Sequence, residues 1–269
     1  MLSSAELVAW NHRGFLPLPD EEEQAFLERV ALLEKEKTHV PSINVQDALL
    51  CCEKLFDLKP DWVSIEEKQS GLSPWQGAVL WIQEDTLGNR VPLIQLSPRL
   101  QTSWLGKWYP QDEVLSHEYV HAVRLPLSSS RFEEIAAYQT SKNPIRRFLG
   151  PIIRRPSEVY VLLGAVVLGW LGMLWTAVSF FLWVPWIVCL FGGMRLLLSQ
   201  WIFKRCQAKL ETLIQDKNKV LAMTIRLTDK EIDLFARMGP KEILSYIYRA
   251  KEQQLRWRML CAAYSFDEA

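Results

Sequence analysis

The chain has 269 residues, with 31 basic and 31 acidic side chains and a formal net charge of zero. This length allows one large or two modest domains, and the neutral balance favours neither a nucleic-acid partner nor an acidic substrate. The hydrophobic content of 49% is ordinary. The apolar residues are concentrated in one block, however, and the rest of the chain resembles a soluble protein in composition.

The five cysteines form no CxxC pair, and Cys51 and Cys52 are adjacent, which is a poor arrangement for a disulfide. This pattern indicates reduced thiols in a protein that faces the cytosol and argues against a metal cluster built from cysteines. The first residues lack a basic flank followed by an apolar core, so no secretory signal is predicted there.

The N-terminal region is predicted to be mostly helical. The segment from Asp20 to Lys37 has acidic residues in its first turn, where the helix dipole favours them, and Phe26, Val30 and Leu33 share one face. A second helix is predicted from Val45 to Leu55.

Two strands are predicted next, over Gly77 to Ser97, joined by a turn at Asp85 to Asn89. Pro92 lies within the second strand. Because proline cannot donate to a strand ladder, Pro92 suggests that this strand is at an edge.

Helices return after the strand pair. Tyr109 to Arg124 is predicted to be a helix with Pro110 at its first position. It ends at Leu125 to Ser130, and another helix begins within the segment RFEEIAAYQTS.

A basic linker then leads to an apolar run from Val159 to Met194 that carries no charge. A single helix of that length would extend about 54 Å, whereas the hydrocarbon core of a bilayer is about 30 Å thick. Residues 159–203 are therefore predicted to form a transmembrane hairpin, with a turn near Ser179 to Val184 and Pro185 opening the second helix. The alternative is a buried helical hairpin in a soluble protein.

Basic residues flank this run on both sides, at Lys142, Arg146, Arg147, Arg154, Arg155, Arg195, Lys204, Arg205 and Lys209. Both flanks satisfy the positive-inside rule only if both are cytoplasmic. The sequence thus predicts an integral protein of the inner (cytoplasmic) membrane, with both termini in the cytoplasm and membrane lipid as a partner.

Within the hairpin, small residues at Ala165, Gly169, Gly172 and Thr176 would let the two helices pack closely. Arg195 lies in the predicted second helix, and its side chain is expected to extend toward the nearby cytoplasmic face.

The C-terminal region is predicted to be helical and cytoplasmic. A charged helix is expected from about Lys204 to Leu221, followed by a short capped helix, a break at Gly239-Pro240 and a long final helix. That final helix carries aromatic and basic residues suited to a partner or an anionic lipid surface, or to packing on the protein's own core. Its charges alternate in sign and no base-reading motif is present, so nucleic-acid binding is not predicted.

The most specific motif is SHEYVHAVR, which contains His117-Glu118-x-x-His121. Residues i and i+4 lie on one face of a helix, so the two imidazoles can bind one ion. Glu118 can reach water bound to that ion. This is the HExxH pattern of zinc metallopeptidases, in which the metal polarises the carbonyl and the glutamate takes the proton of the water.

A catalytic zinc ion usually has three protein ligands and one open position. The other histidines, His12 and His39, precede the motif, so a carboxylate must complete the set. Glu133 and Glu134 are the candidates. Ser130-x-x-Glu133 has the form of a capping box, which would occupy Glu133 at its own helix terminus and leave Glu134 as the ligand.

Tyr138 lies one turn beyond Glu134 on the same helix face. It is a candidate catalytic residue, placed to donate a hydrogen bond to a substrate oxyanion or to orient a ligand. Packing between the two helices is the alternative role for its ring.

HExxH followed by a glutamate in an E-x-x-A context, here Glu134 to Ala137, resembles the gluzincin branch of the zincin superfamily. Membrane attachment with a cytoplasmic zinc site resembles the CAAX prenyl protease and heat-shock membrane protease families, although the spacing from His121 to Glu134 is shorter than theirs. The resemblance covers about Gly77 to Ser141.

This resemblance implies an α+β fold with a small zincin-like core, made of the strand pair, the HExxH helix and the glutamate helix. In such enzymes an edge strand holds extended substrate by β-addition. The resemblance also implies that His117, His121 and Glu134 bind Zn²⁺, with Glu133 as the alternative third ligand, and that Glu118 is the general base.

Together these expectations describe a membrane-anchored zinc endopeptidase that hydrolyses a peptide or protein substrate at the cytoplasmic face. The alternative is a non-enzymatic membrane adaptor with a structural or vestigial metal site. The expected organisation is a helical region (1–76), a metal-site core (77–141), a basic linker (142–158), the hairpin (159–203) and C-terminal helices (204–269).

Overall fold

The structure is a computed structural model that describes residues 2–36, 44–73, 76–84, 90–102, 106, 108–128, 130–153, 156–176 and 183–266. This part of the chain is mostly helical and contains a three-stranded sheet, so the α+β prediction is confirmed at that level. The first helices are α1 (Ser4–His12), α2 (Glu23–Lys35), α3 (Gln46–Phe56), α4 (Arg99–Thr102), α5 (Gln111–Arg124), α6 (Glu133–Ala137) and α7 (Pro144–Leu149). The later ones are α8 (Pro156–Thr176), α9 (Trp183–Glu211), α10 (Val220–Thr224), α11 (Asp229–Arg237), α12 (Pro240–Gln253) and α13 (Leu255–Ala263). The strands are β1 (Ser64–Glu67), β2 (Ala78–Glu84) and β3 (Arg90–Leu96).

The two predicted N-terminal helices are present as α2 and α3. α2 begins at Glu23 rather than Asp20, because Asp20 has a positive φ of 64° that a right-handed helix does not accept. Its predicted apolar face is confirmed, since Phe26, Val30 and Leu33 are all buried.

The sheet has the order β1-β3-β2. β2 and β3 pair antiparallel, from Ala78 opposite Leu96 to Glu84 opposite Arg90, as the sequence predicted. Their predicted turn at residues 85–89 lies outside the described residues. β1 pairs parallel with β3 and was not predicted.

The prediction that the strand containing Pro92 lies at an edge is wrong, because β3 is the central strand. β1 pairing starts only at Leu93, so Pro92 has a strand neighbour on the β2 side alone, where it lies opposite Ile82. The missing N–H of Pro92 is therefore tolerated inside a central strand. The edge strands of the described sheet are β1 and β2, and the open edge of β2 lies alongside α5.

A single hydrophobic cluster joins the N-terminal helices, the sheet, α5, α6 and the C-terminal helices. The fully buried Arg226 links the C-terminal region to the N-terminal helices α1 and α3. It donates hydrogen bonds to Asn11 Oδ1 (2.7 Å) and to the Phe56 carbonyl (2.8 Å). α9 continues through Phe203 and Lys204 to Glu211 without interruption. The charged helix expected from Lys204 is thus the end of the second hairpin helix.

The hairpin helices α8 and α9 pack against each other, with Ala165 and Gly169 buried. Both helices are long and apolar enough to cross a membrane, and only 11% and 28% of their most apolar windows are buried. These fractions are low, whereas a helical hairpin in the core of a soluble protein would be mostly buried. Residues 177–182, which include most of the predicted turn, and Arg154 and Arg155 lie outside the described residues.

Arg195, which is predicted to extend toward the cytoplasmic face, has a partner in the other hairpin helix. Its guanidinium forms a bidentate ion pair with Glu158 in the first turn of α8, with nitrogen–oxygen distances of 2.6 and 2.8 Å. The ion pair fastens the two hairpin helices to each other at one end.

The predicted long final helix is in fact two helices, α12 and α13, separated at Gln254, which has extended backbone angles. The change of direction carries Arg256 and Trp257 into the core, where both contact the carboxylate of Glu231. These basic and aromatic residues therefore pack inside the protein, the alternative considered for this helix.

Candidate metal centre

α5 presents the two motif histidines. It starts directly after Pro110, which is its N-cap rather than its first residue, and Asp112 and Glu113 lie in its first turn, where the helix dipole favours acidic groups. Its apolar face, including Leu115 and Val120, is buried, and α5 packs on α3. The opposite face therefore carries His117 and His121 toward a cleft.

The structure brings His117, His121 and Glu134 together. The two Nε2 atoms are 3.1 Å apart, and the Glu134 carboxylate oxygens lie 3.5 Å from His117 Nε2 and 3.6 Å from His121 Nε2. Ligands about 2.0–2.1 Å from a tetrahedral zinc ion are separated by about 3.3–3.4 Å. Two imidazoles and a carboxylate at these separations could hold one metal ion.

Glu133 does not form the predicted capping box, and this prediction is wrong. α6 begins at Glu133 itself, its N-cap is Phe132, and no side chain of the N-cap accepts a hydrogen bond. Glu133 Oε1 instead lies 2.8 Å from His121 Nδ1, the ring nitrogen that faces away from the three-ligand group. A carboxylate on the second nitrogen of a ligating histidine orients the ring and raises its basicity.

Asp229, at the start of α11, binds the segment that leads into α6. Its carboxylate accepts hydrogen bonds from the backbone N–H groups of Ser130 (2.9 Å), Arg131 (2.7 Å) and Phe132 (3.3 Å). These three residues directly precede Glu133, the first residue of α6. A C-terminal residue therefore fixes the helix that carries Glu134.

Arg124, at the end of α5, supports the same junction. Its fully buried guanidinium donates to the carbonyls of Ile225 and Leu227 and lies 3.8 Å from Asp229. Arg131 lies 2.7 Å from Asp233. Both arginines thus face aspartates of α11.

Glu118 lies between α5 and the open edge of β2, and the backbone N–H of Leu80 donates to its carboxylate. Burial raises the pKa of Glu118 to about 7; His121 acts against this shift, while the charges of Glu134 and Glu133 add to it. Glu118 lines a polar recess of about 230 Å³ together with His117, Gly77 and Ala78. Its carboxylate is therefore placed beside both the histidine pair and the sheet edge.

The pKa values of the two histidines are shifted in opposite directions. Burial and the neighbouring His121 hold the pKa of His117 well below its usual value. Burial also acts to lower the pKa of His121, but its hydrogen bond to Glu133 and the nearby carboxylates outweigh burial and raise the pKa to about 9. Without a metal, a proton on His121 thus balances part of the surrounding negative charge.

Tyr138 packs edge-on against His117, with ring centroids 4.7 Å apart. Burial and the charge of Glu134 raise the pKa of its hydroxyl. A Cβ atom on Gly150 would lie 2.2 Å from the Tyr138 ring, so only glycine leaves room for the ring there. The contact with His117 agrees with the alternative packing role of the Tyr138 ring. The Tyr138 side chain also lines the recess that contains Glu118.

The recess opens into a larger cleft of about 780 Å³ that is lined by His117, Glu134 and Tyr138 at one end and by Tyr160 and Leu163 of α8 at the other. A third cavity, of about 480 Å³, lies between Glu133 and Glu134 on one side and the Glu158–Arg195 pair on the other. The site is therefore accessible and adjoins the base of the hairpin.

Comparison with known protein families, curated proteins and solved structures gives no match to this chain.

Proposed function

We propose that this protein is a membrane-anchored, zinc-dependent endopeptidase. The observation that carries the proposal is the spacing of the His117, His121 and Glu134 donor atoms, 3.1 to 3.6 Å apart, at the wall of an open cleft. Two imidazoles and one carboxylate with an open fourth position are the donor set of catalytic zinc sites.

The residues around the three donors also resemble those that surround zinc ligands. Glu133 on His121 Nδ1 matches the carboxylate–histidine–zinc arrangement that orients metal ligands. When bound, zinc would supply Lewis acidity toward a peptide carbonyl. Glu133 holds the His121 ring in one orientation, and the hydrogen bonds of Asp229 to residues 130–132 position the helix that carries Glu134.

Glu118 supplies the general base in this proposal. Its carboxylate removes a proton from the attacking water and later delivers it to the leaving amine. The open edge of β2 ends at Ala78 beside Glu118, so an extended peptide that pairs with this edge would pass the site. Tyr138 is placed beside His117, where its hydroxyl can donate to the developing oxyanion.

Membrane anchorage is supported by α8 and α9, which expose apolar side chains along most of their length. Exposure of this much contiguous apolar surface to water is unfavourable, whereas a bilayer accepts it. Basic residues on both flanks favour a cytoplasmic location for both flanks, and thus for the site.

The decisive experiment compares the wild type with Glu118→Gln, using full-length protein in lipid nanodiscs and a fluorescent unstructured peptide. Glu118→Gln should lower cleavage by roughly 10²- to 10⁴-fold, because general-base catalysis is lost, while zinc content stays unchanged. Glu252→Gln, on an exposed surface of α12, is the matched control and should cleave like the wild type.

Zinc chelation should abolish cleavage by the wild type, and added zinc should restore it. If Glu118→Gln cleaves as fast as the wild type, Glu118 is not the base. Stoichiometric zinc without chelator-sensitive cleavage would instead support the adaptor with a structural metal site.

A further inference from the structure

A second apolar surface lies outside the hairpin. Trp108, Ile145, Phe148, Leu149 and Ile153, here called the apolar rim, are all exposed, Trp108 at 71% and Ile145 at 68%. Four of these residues line the larger cleft that leads from His117 and Glu134 to α8. Isolated exposed apolar residues are common, but a cluster around the mouth of one cleft indicates an interaction surface.

The position of the rim relative to the hairpin is fixed by two hydrogen bonds from α9. Gln200 Nε2 donates to the Phe148 carbonyl (3.1 Å), and Arg195 donates to the Ile152 carbonyl (2.9 Å). α7 and the chain after it therefore lie against the middle of α9.

The Gln200 contact lies at the end of the exposed apolar surface of α9, and the Arg195 contact lies about 8 Å nearer the middle of that surface. Exposed large apolar residues of α9 extend from Trp183 to Trp201, a rise of about 27 Å, close to the thickness of a bilayer hydrocarbon core. Trp201 carries the guanidinium of Arg205 over its ring, at 5.1 Å from the centroid. An aromatic ring next to a basic side chain is typical of the membrane–water interface.

Gln200 directly precedes Trp201, so the rim lies at the same interfacial level. The rim also has the residue types that such a layer favours: apolar side chains and Trp108, with the exposed basic residues Lys142 and Arg147 beside them. A soluble protein partner would need no such alignment with the hairpin.

We infer that the apolar rim is inserted into the headgroup–acyl boundary of the cytoplasmic leaflet, so that the cleft opens along the membrane surface and not toward bulk cytoplasm. This inference depends on the proposed membrane anchorage but not on zinc chemistry. Its partner is the lipid bilayer itself.

Spin-label accessibility in nanodiscs of neutral and anionic phospholipid tests this directly. Nitroxides are attached to Ile145→Cys and Leu149→Cys in the rim, to Leu190→Cys on the exposed face of α9, and to Leu50→Cys on the exposed face of α3 as a water-facing control. Cys51, Cys189 and Cys261 are replaced by alanine, and the buried Cys52 and Cys206 are kept. Oxygen concentrates in the bilayer, whereas a nickel chelate is confined to water.

The ratio of oxygen to nickel collision rates should be highest at position 190, lowest at position 50, and intermediate at both rim positions. Rim ratios equal to that at position 50, with a high ratio at position 190, would overturn the inference while leaving the anchorage intact. A low ratio at position 190 would overturn the anchorage and the inference together. Neither result alters the outcome of the Glu118→Gln test, so the two proposals fail separately.

Discussion

The protein contains a buried and a partly buried cluster of charged groups, and the two differ in how their charge is balanced. In the first, the Glu231 cluster, one carboxylate is bound by the guanidinium of Arg256 (2.5 Å), the indole of Trp257 (2.9 Å), the hydroxyl of Tyr246 (3.1 Å) and Thr228 at its own helix terminus. In the second, the site cluster, three carboxylates face two imidazoles: Glu118, Glu133, Glu134, His117 and His121.

The pKa directions express this contrast. Burial alone would raise the pKa of Glu231, but Arg256 and the hydrogen bonds to Thr228 outweigh burial and lower it. Burial raises the pKa of Glu118 to about 7, and neighbouring carboxylates reinforce the shift. The Glu231 cluster balances its own charge through Arg256, whereas in the site cluster a protonated His121 balances only part of the charge of three carboxylates. The site cluster could therefore hold a metal ion.

The largest expected difference between the clusters is in stability. Glu231→Gln leaves the guanidinium of Arg256 buried without its counterion, so the free energy of unfolding should fall by roughly 3–5 kcal/mol. Glu134→Gln should cost the metal-free protein less, because it removes one of three adjacent negative charges. Denaturant unfolding of both variants in detergent measures the difference, and equal losses would remove the distinction between the clusters.

The same cluster gives a pH dependence with a defined sign. The pKa of Glu231 is lower in the folded protein than its usual value of 4.5. Its contribution to stability is therefore fully present above pH 4.5 and is lost as the pH falls through the lowered folded-state pKa. The stability difference between wild type and Glu231→Gln should shrink in that acidic range.

A smaller effect is expected from Glu133→Gln, which weakens the bond to His121 Nδ1 without removing a donor of the three-ligand group. Loss of such an outer carboxylate typically lowers metal affinity by about 10- to 100-fold. Competition with a chromogenic chelator measures the zinc affinity. Complete loss of zinc binding in Glu133→Gln, with binding retained in Glu134→Gln, would make Glu133 the third ligand.

The smallest effect on zinc affinity is expected from Asp229→Ala, which removes three hydrogen bonds to the segment that leads into α6. Loss of these hydrogen bonds should lower the free energy of unfolding by about 1–3 kcal/mol, and zinc affinity should fall slightly because Glu134 is held less firmly. Asp233→Ala, which breaks only the ion pair with Arg131, serves as the control. Identical zinc affinities in the two variants would mean that Asp229 does not position Glu134.

Local patterns in the sequence predicted much of the framework. The strand–turn–strand pattern predicted the β2–β3 pair, and the motif spacing predicted that His117 and His121 share one helix face. The failures came from contacts distant in sequence. Asp229 binds the backbone N–H of Arg131 where the sequence predicted a capping box from Ser130. The break at Gln254 allows Arg256 and Trp257 to reach the carboxylate of Glu231. No local signal reveals either partner.

β1 and the role of Glu133 were missed for related reasons. β1 is four residues long, with only Ile65 apolar, and it forms because β3 offers a parallel partner. Glu133 and Glu134 are adjacent, and only the observed start of α6 shows that one reaches Nδ1 of His121 while the other faces both Nε2 atoms.

The central claim, that the site cluster is completed by a metal ion, is tested most directly by elemental analysis of the purified full-length protein. The wild type should contain close to one zinc ion per chain, and His121→Ala should contain essentially none while remaining folded. A wild type without stoichiometric metal after zinc reconstitution, or a His121→Ala variant that retains the full complement, would contradict the claim.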